Sequence, residues 1–233
     1  MTNKIDLHLA YVLHARAFRE TSLLVEMLSQ DHGRITVVAR GAKRGKSKTS
    51  SIMQPFMPLN VSWYGSGDLV TLTNVEAHAN SHMLHGRNAI CGLYLNELLV
   101  KLMPKWDPCP VLFAGYEQAL LSLMGNAVTE QITLRKFEVL LLKSLGYGLQ
   151  LTKEVNTGVQ VRPQDYYLFD PILGPKLVYS PSASAIKGAS LLALEHGDIA
   201  DPLILADLKR LMRIVLGYHL GARRLVTREL LYT

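Results

Sequence analysis

Three groups of side chains have types and spacings that could do chemistry. The first is a run of cations: Arg34, Arg40, Lys43, Arg44, Lys46 and Lys48. Arg34 and Arg40 bracket a predicted strand, and the others ride on the loop Gly41-Ala-Lys-Arg-Gly-Lys-Ser-Lys48. Small residues let backbone amides approach phosphates, while Lys and Arg supply charge and release counterions. Phe18, Phe56, Trp63 and Tyr64 lie on or near the same predicted element, and exposed rings among them would stack unpaired bases. The second group is Lys209, Arg210 and Arg213, which share one side of a predicted helix beside Leu208, Leu211, Met212 and Val215; Arg223, Arg224 and Arg228 follow. Both groups point to phosphate binding. The third comprises His78, His82 and His85, with Glu97, Glu138, Cys91 and Cys109.

That third group yields no reaction. The histidines have no carboxylate near in sequence to complete a metal site. Cys91 and Cys109 form no Cys-x-x-Cys pair and read as reduced thiols. Glu97 and Glu138 sit in apolar helical patterns, which half-exposure explains better than acid–base catalysis. Gly41 to Ser47 resembles a nucleotide-binding loop but fails the motif. Three residues separate the glycines where four are needed, and Arg40 stands where the first glycine belongs. No nucleophile elbow is present. The chain reads as a binding protein without enzymatic chemistry, catalytic residues, metal or cofactor.

The elements that must position the two cationic groups fall in two blocks. Strand patterns mark 10–14, 23–29, 34–40, 59–64 and 69–75, separated by turn residues at 31–33, 41–51 and 65–68. Five short strands in about 80 residues predict a small closed barrel, of the OB type or an SH3-like one. Helical spacing follows at 88–103, 109–124 and 129–145, and Asp201-Pro202 opens a helix running to about 217. The proline-rich stretch 149–182 predicts an irregular segment with a hairpin. The class is therefore α+β and multi-domain: a β domain over 1–80 and an α-helical domain over 81–233.

Composition supports this. The 233 residues are 48% hydrophobic and 19% charged, which excludes disorder, and no apolar run is long enough to span a membrane. With no signal-peptide pattern at the N-terminus, the expected location is cytoplasmic. The net charge of +6 is modest, but its distribution is not. Residues 32–67 and 208–228 contain no acidic residue and hold 12 of the 25 Lys and Arg.

A series of strings resembles a known family. Tyr11-Val-Leu-His14, Glu20-Thr-Ser-Leu-Leu24, His32-Gly-Arg34, Val38-Ala-Arg-Gly-Ala42 and Gln54-Pro-Phe-Met-Pro58 are similar to the N-terminal region of the bacterial recombination mediator RecO. Gly92-Leu-Tyr-Leu-Asn-Glu-Leu-Leu99, Leu134-Arg-Lys-Phe-Glu138 and Leu145-Gly-Tyr-Gly148 continue the resemblance, which covers residues 9–150 in order and is weaker beyond. It implies an N-terminal five-stranded OB-fold barrel followed by helices. It also implies binding of single- and double-stranded DNA, annealing of complementary strands and, with RecR, loading of RecA onto DNA coated by single-strand binding protein. No nucleotide is needed. Some members of the family carry a four-cysteine zinc site after the Leu-Gly-Tyr-Gly string. Here Glu154 and Thr157 stand at the first two of those positions, so no zinc is expected.

The DNA contacts expected from these readings are Arg34, Arg40, Lys43, Arg44, Lys46, Lys48, Trp63, Tyr64, Lys209, Arg210, Arg213, Arg223 and Arg224. The family also binds the acidic, apolar C-terminal tail of single-strand binding protein. Leu134, Arg135, Lys136 and Phe137 are the candidate site for that tail. The rival class is an OB-fold RNA- or ribosome-associated factor, which phosphate contacts alone do not distinguish.

Overall fold

The computed structural model describes residues 4–43, 51–78, 84–180 and 182–231. The chain forms two compact units, 1–124 with 225–233 and 125–224. Packing thus draws its line later than the strand-to-helix changeover near residue 80.

In the first unit, five strands close a barrel in the order β1-β2-β3-β5-β4. They are β1 (Lys4–Phe18), β2 (Ser22–Ser29), β3 (Gly33–Ala39), β4 (Pro58–Tyr64) and β5 (Val70–Ala77). Strand β1 makes the closure possible. Its first half pairs antiparallel with β4 and its second half with β2, with irregularities between Ile5 and His8 and between Val12 and His14. Such bulges bend a strand so that it turns a barrel corner. A short parallel pairing, Val37 with Val70 and Val38 with Thr71, shuts the barrel. Alternate residues fill it: Ala10 and Val12, Val25 and Met27, Ile35 and Val37, Val61 and Trp63.

The other face of β1 is also covered, which explains why Tyr11 and Leu13 are buried. Helices α1 (Gly86–Leu102) and α2 (Pro110–Ser122) belong to the same unit. The Tyr11 ring packs edge-on against Tyr116 of α2, and its hydroxyl donates to Glu117 at 2.8 Å. Burial, reinforced by Glu117, raises the Tyr11 pKa far above the ordinary phenol value. Asn96 is the polar rivet of this layer. Its amide donates to the Leu13 carbonyl at 3.0 Å and its oxygen accepts from the Tyr116 hydroxyl at 2.6 Å. Replacing Asn96 by leucine strands a buried hydroxyl and a strand carbonyl. The expected cost is about 2–4 kcal/mol, read as a lower urea midpoint with an unchanged slope.

The C-terminal helix α6 (Val226–Leu230) returns to this unit. The Glu97 carboxylate accepts from the backbone amides of Val226 and Thr227, both at 2.9 Å, from the Thr227 hydroxyl, and from Lys101 Nζ at 2.8 Å. Burial alone would raise the Glu97 pKa. The hydrogen bonds from Lys101, Thr227 and Val226 outweigh it and hold the pKa below the ordinary carboxylate value. The stabilisation is therefore complete at neutral pH and is lost as pH falls through that lowered value. Glu97→Gln is expected to remove about 1–3 kcal/mol and to flatten the acid limb of the stability curve. Faster hydrogen exchange at the Thr227–Leu230 amides would report the loosened helix.

The second unit holds α3 (Ala127–Ser144), a three-stranded sheet in the order β7-β6-β8, and helices α4 (Gly188–His196) and α5 (Pro202–Leu220). The prolines of the irregular segment flank a hairpin of β6 (Tyr166–Asp170) and β7 (Gly174–Val178), to which β8 (Ile186–Lys187) adds. Asp201 caps α5 by accepting from the Leu203 and Ile204 amides, with Pro202 in its first turn. Leu208, Leu211, Met212 and Val215 form the buried stripe of α5. Glu154 organises the turn before the hairpin. Its carboxylate accepts from the Thr157 hydroxyl and from the amides of Asn156, Thr157 and Leu177. Among the described residues no group of His, Cys, Asp or Glu could hold a metal ion, and none of the described helices is long and apolar enough to cross a membrane.

Candidate nucleic-acid interface

The barrel carries a groove of about 1010 Å³ between the β1–β2 turn and the start of β5. Phe18, Arg19 and Glu20 form one wall, Val38, Arg40 and Gly41 another, and Leu69 with Thr71 the third. Arg19 and Arg40 are exposed, as is Lys43 just beyond the groove. The Lys43 amide donates to the Thr21 carbonyl at 2.9 Å, which ties the start of the basic loop to the β1–β2 turn. The Arg19 guanidinium lies 5.3 Å from the centre of the half-buried Phe18 ring, which supplies a cation and a ring face together. A second hollow of about 300 Å³, lined by Arg40, Ile52, Thr73 and Glu76, adjoins it, so Arg40 stands between two concavities.

Several expected contacts have other occupations. Arg34 is held inside the unit: it pairs with Glu26 at 2.8 Å and donates to the Met103 carbonyl at 2.8 Å. Glu26 also accepts from Thr36, so the outer side of β3 is a closed polar cluster rather than a phosphate site. Trp63 is 0% exposed and belongs to the barrel core, since β4 points it inward with Val61. It is no exposed stacking platform. Tyr64, one residue on, is half-buried. Phe56, also named as an aromatic candidate, is buried, and its ring fills the space that a side chain on Gly92 would need. Arg44, Lys46 and Lys48 lie outside the described residues.

The second cationic group belongs to the second unit, apart from Arg228 on α6. Arg210 is structural: it donates to the Ala185 carbonyl at 2.7 Å and pairs with Asp207. Arg223 closes the end of α5 by donating to the His219 and Leu220 carbonyls. Arg213 and Arg224 are exposed and Lys209 is half-buried. Nearby, Tyr147 stacks on His219 with centroids 4.1 Å apart, and burial lowers the His219 pKa.

The candidate tail site does not survive as a surface. Leu134, Arg135 and Phe137 are buried, and only Lys136 is exposed. Arg135 pairs at 2.8 Å with Glu138, whose side chain is 0% exposed. The helix turns its Leu-Arg-x-Phe face inward, because the apolar Leu134, Phe137 and Leu141 must be buried and carry Arg135 with them.

Arg19 and Arg16, both exposed where β1 meets the turn, lie outside the two acid-free windows. A signal existed: two arginines and a phenylalanine at a strand–strand turn. Glu20 beside them kept that turn out of the acid-free windows.

A closed five-stranded barrel whose β1–β2 turn and β4–β5 loop frame a groove bearing Arg19 and Arg40 defines an OB-fold protein. Comparison with known proteins narrows the class. Residues 7–80 match the family model for the recombination protein O N-terminal domain, and residues 84–229 match that for its C-terminal domain. Proteins named DNA repair protein RecO are similar along nearly the whole chain. The one from Methylococcus capsulatus is 42% identical over 228 residues, covering 98% of this chain and 93% of its own. That from Nitrosococcus oceani is 44% identical over 230 residues, with 98% and 93% covered. That from Coxiella burnetii is 39% identical over 236 residues, with both chains covered completely. The chain belongs to the recombination protein O family.

Proposed function

We propose that this chain is a non-catalytic DNA-binding mediator of recombinational repair. The observation that carries the reading is a cationic, ring-bearing groove on the OB barrel of a chain whose relatives are named DNA repair proteins. Arg19, Arg40 and Lys43 would meet phosphates of a single strand, with Phe18 beneath an unpaired base. Arg44, Lys46 and Lys48 would extend the contact along the basic loop. Arg213, Arg224 and Lys209 would add phosphate contacts on the second unit.

Binding of this kind favours annealing for a simple reason. Neutralising phosphates on two strands removes their mutual repulsion, and base pairing supplies the remaining free energy. In this reading the protein binds single- and double-stranded DNA, anneals complementary strands and, with RecR, helps RecA load onto DNA coated by single-strand binding protein. It works in the cytoplasm, at the nucleoid during repair, without nucleotide hydrolysis or a cofactor. The C-terminal tail of single-strand binding protein is a further partner.

The test is annealing of complementary oligonucleotides precoated with single-strand binding protein, without ATP. Duplex formation faster than in the protein-free control is expected. No acceleration, or preferential binding of RNA over DNA of equal length, would overturn the reading.

A further inference from the structure

At the β4–β5 loop, the barrel holds a second and very different concavity. It measures about 310 Å³ and is lined by Ile5, His32, Trp63, Trp106 and the loop Gly65-Ser66-Gly67-Asp68. Three rings, His32, Trp63 and Trp106, form one side of it. His32 meets Trp63 edge-on at 5.2 Å and Trp106 edge-on at 6.4 Å. Two buried polar atoms on these rings, Trp106 Nε1 and His32 Nε2, have no hydrogen-bond partner. A buried polar group without a partner costs about 1–3 kcal/mol, so an occupant able to pair with these two atoms is favoured over one that is not.

The way Trp106 is held strengthens the argument. Its backbone has φ of +58°, a left-handed conformation that costs a bulky residue about 1–3 kcal/mol and collects at ligand sites. The surroundings impose it. The Trp106 amide donates to the Arg34 carbonyl at 2.9 Å, and Gly33 lies so close to Asp107 that any side chain there would strike its carbonyl. Lys105 Nζ reaches the Asp68 carbonyl at 3.4 Å, linking this segment to the glycine loop. Burial, aided by His8, lowers the His32 pKa, so its imidazole is neutral at neutral pH and can offer either a donor or an acceptor.

From this geometry we infer that the pocket receives one unpaired nucleobase, a reading that rests on the DNA-binding function proposed above. A base is a flat ring with donors and acceptors on its edge. When the glycine loop shifts to admit it, its edge can pair with the indole N–H and the imidazole nitrogen, both shielded from solvent with the loop as it stands. An aliphatic or phenyl side chain would leave both unsatisfied. The β4–β5 loop connects this pocket to the cationic groove: Gly65 to Asp68 line the pocket, and Leu69, the next residue, lines the groove. A strand whose phosphates lie on Arg19 and Arg40 therefore has a route by which a base can turn into the pocket. Glycines at 65 and 67, both with positive φ, the second with open space around it, give the loop the backbone freedom to admit it.

The full chain carries its own probe, because Trp63 and Trp106 are its two tryptophans and both line the pocket. Oligothymidylate of about 12 nucleotides and an abasic oligomer of the same length are compared, with anisotropy reporting binding and tryptophan emission reporting pocket occupancy. The base-bearing strand is expected to bind about 5- to 100-fold more tightly than the abasic one and to be alone in quenching emission. If both strands bind and emission stays constant or changes equally, the pocket assignment is overturned while DNA binding stands. If neither binds, the DNA-binding reading falls, and free thymidine decides the pocket: quenching sustains it, constancy overturns it. Trp106→Phe keeps an aromatic wall, with a smaller ring, and removes the N–H. It is expected to weaken oligothymidylate about 2- to 10-fold and leave the abasic strand unchanged; an equal loss for both would count against the inference. Quenching by an aromatic dipeptide amide but not by thymidine would assign the pocket to a protein side chain instead.

Discussion

Replacing Arg19, Arg40 and Lys43 together by alanine is expected to lower single-strand DNA affinity about 100-fold at about 50 mM salt. Each phosphate contact on a single strand contributes about 0.7 to the slope of log affinity against log salt, so the slope should flatten by about 2. The three cations are exposed at or beside one groove. They bear little structural load, and the urea midpoint should hold. Arg34→Ala is the instructive contrast. Its guanidinium is committed to Glu26 and the Met103 carbonyl, so its removal should lower stability and leave the salt slope almost untouched. A triple variant with wild-type slope would show that the strand runs elsewhere on the barrel.

Arg135→Ala should produce the largest loss of stability of any single substitution considered, about 3–5 kcal/mol. It removes the guanidinium from beside the fully buried Glu138 carboxylate, inside a helix packed through Leu134, Phe137 and Leu141. Replacing both partners by apolar residues of similar size, Arg135→Met with Glu138→Leu, should recover most of the loss, since neither charge then has to be desolvated. Urea unfolding of the two variants and the wild type tests this. Equal stabilities for the single and double variants would show that the pair is not the source. The same result bears on partner binding, because a tail peptide that fails to bind Arg135→Ala would be reporting a weakened fold and not a lost contact.

Local patterns were easily read where one periodicity ran unbroken. The strands at 23–29, 34–40 and 59–64 and the helices near 88–103 and 109–124 stand within a few residues of their positions in the structure. The alternation marks only five residues of β1, which is 15 long, because two irregularities shift its register and break the pattern that marks a strand. Helix α4 has almost no amphipathic pattern: its nine residues are mostly small or apolar, so no stripe announced it. Among the site residues, Arg40 and Lys43 were legible as cations on a loop, and the structure leaves both exposed. Arg19 was hidden by the acidic residue beside it. The burial of Trp63 is not legible in the sequence, because an aromatic on a strand of a small barrel has an equal pattern for inside and outside until its register is known.

The residue types and their spacing determined that this chain forms a five-stranded barrel followed by helices and that two acid-free stretches concentrate its positive charge. These are properties of neighbours along the chain, and periodicity and composition record them. Which cations face outward was decided only by the tertiary structure. Arg34 is drawn to Glu26 and to a carbonyl 69 positions away, Arg135 goes inward with the apolar face it rides on, and Arg210 and Arg223 cap carbonyls. The partners that commit a charge to the interior come from distant parts of the chain or from the face on which it is carried. The aromatic pocket has the same origin. Its rings come from residues 32, 63 and 106, and only barrel closure and the strained turn at Trp106 set them around one cavity.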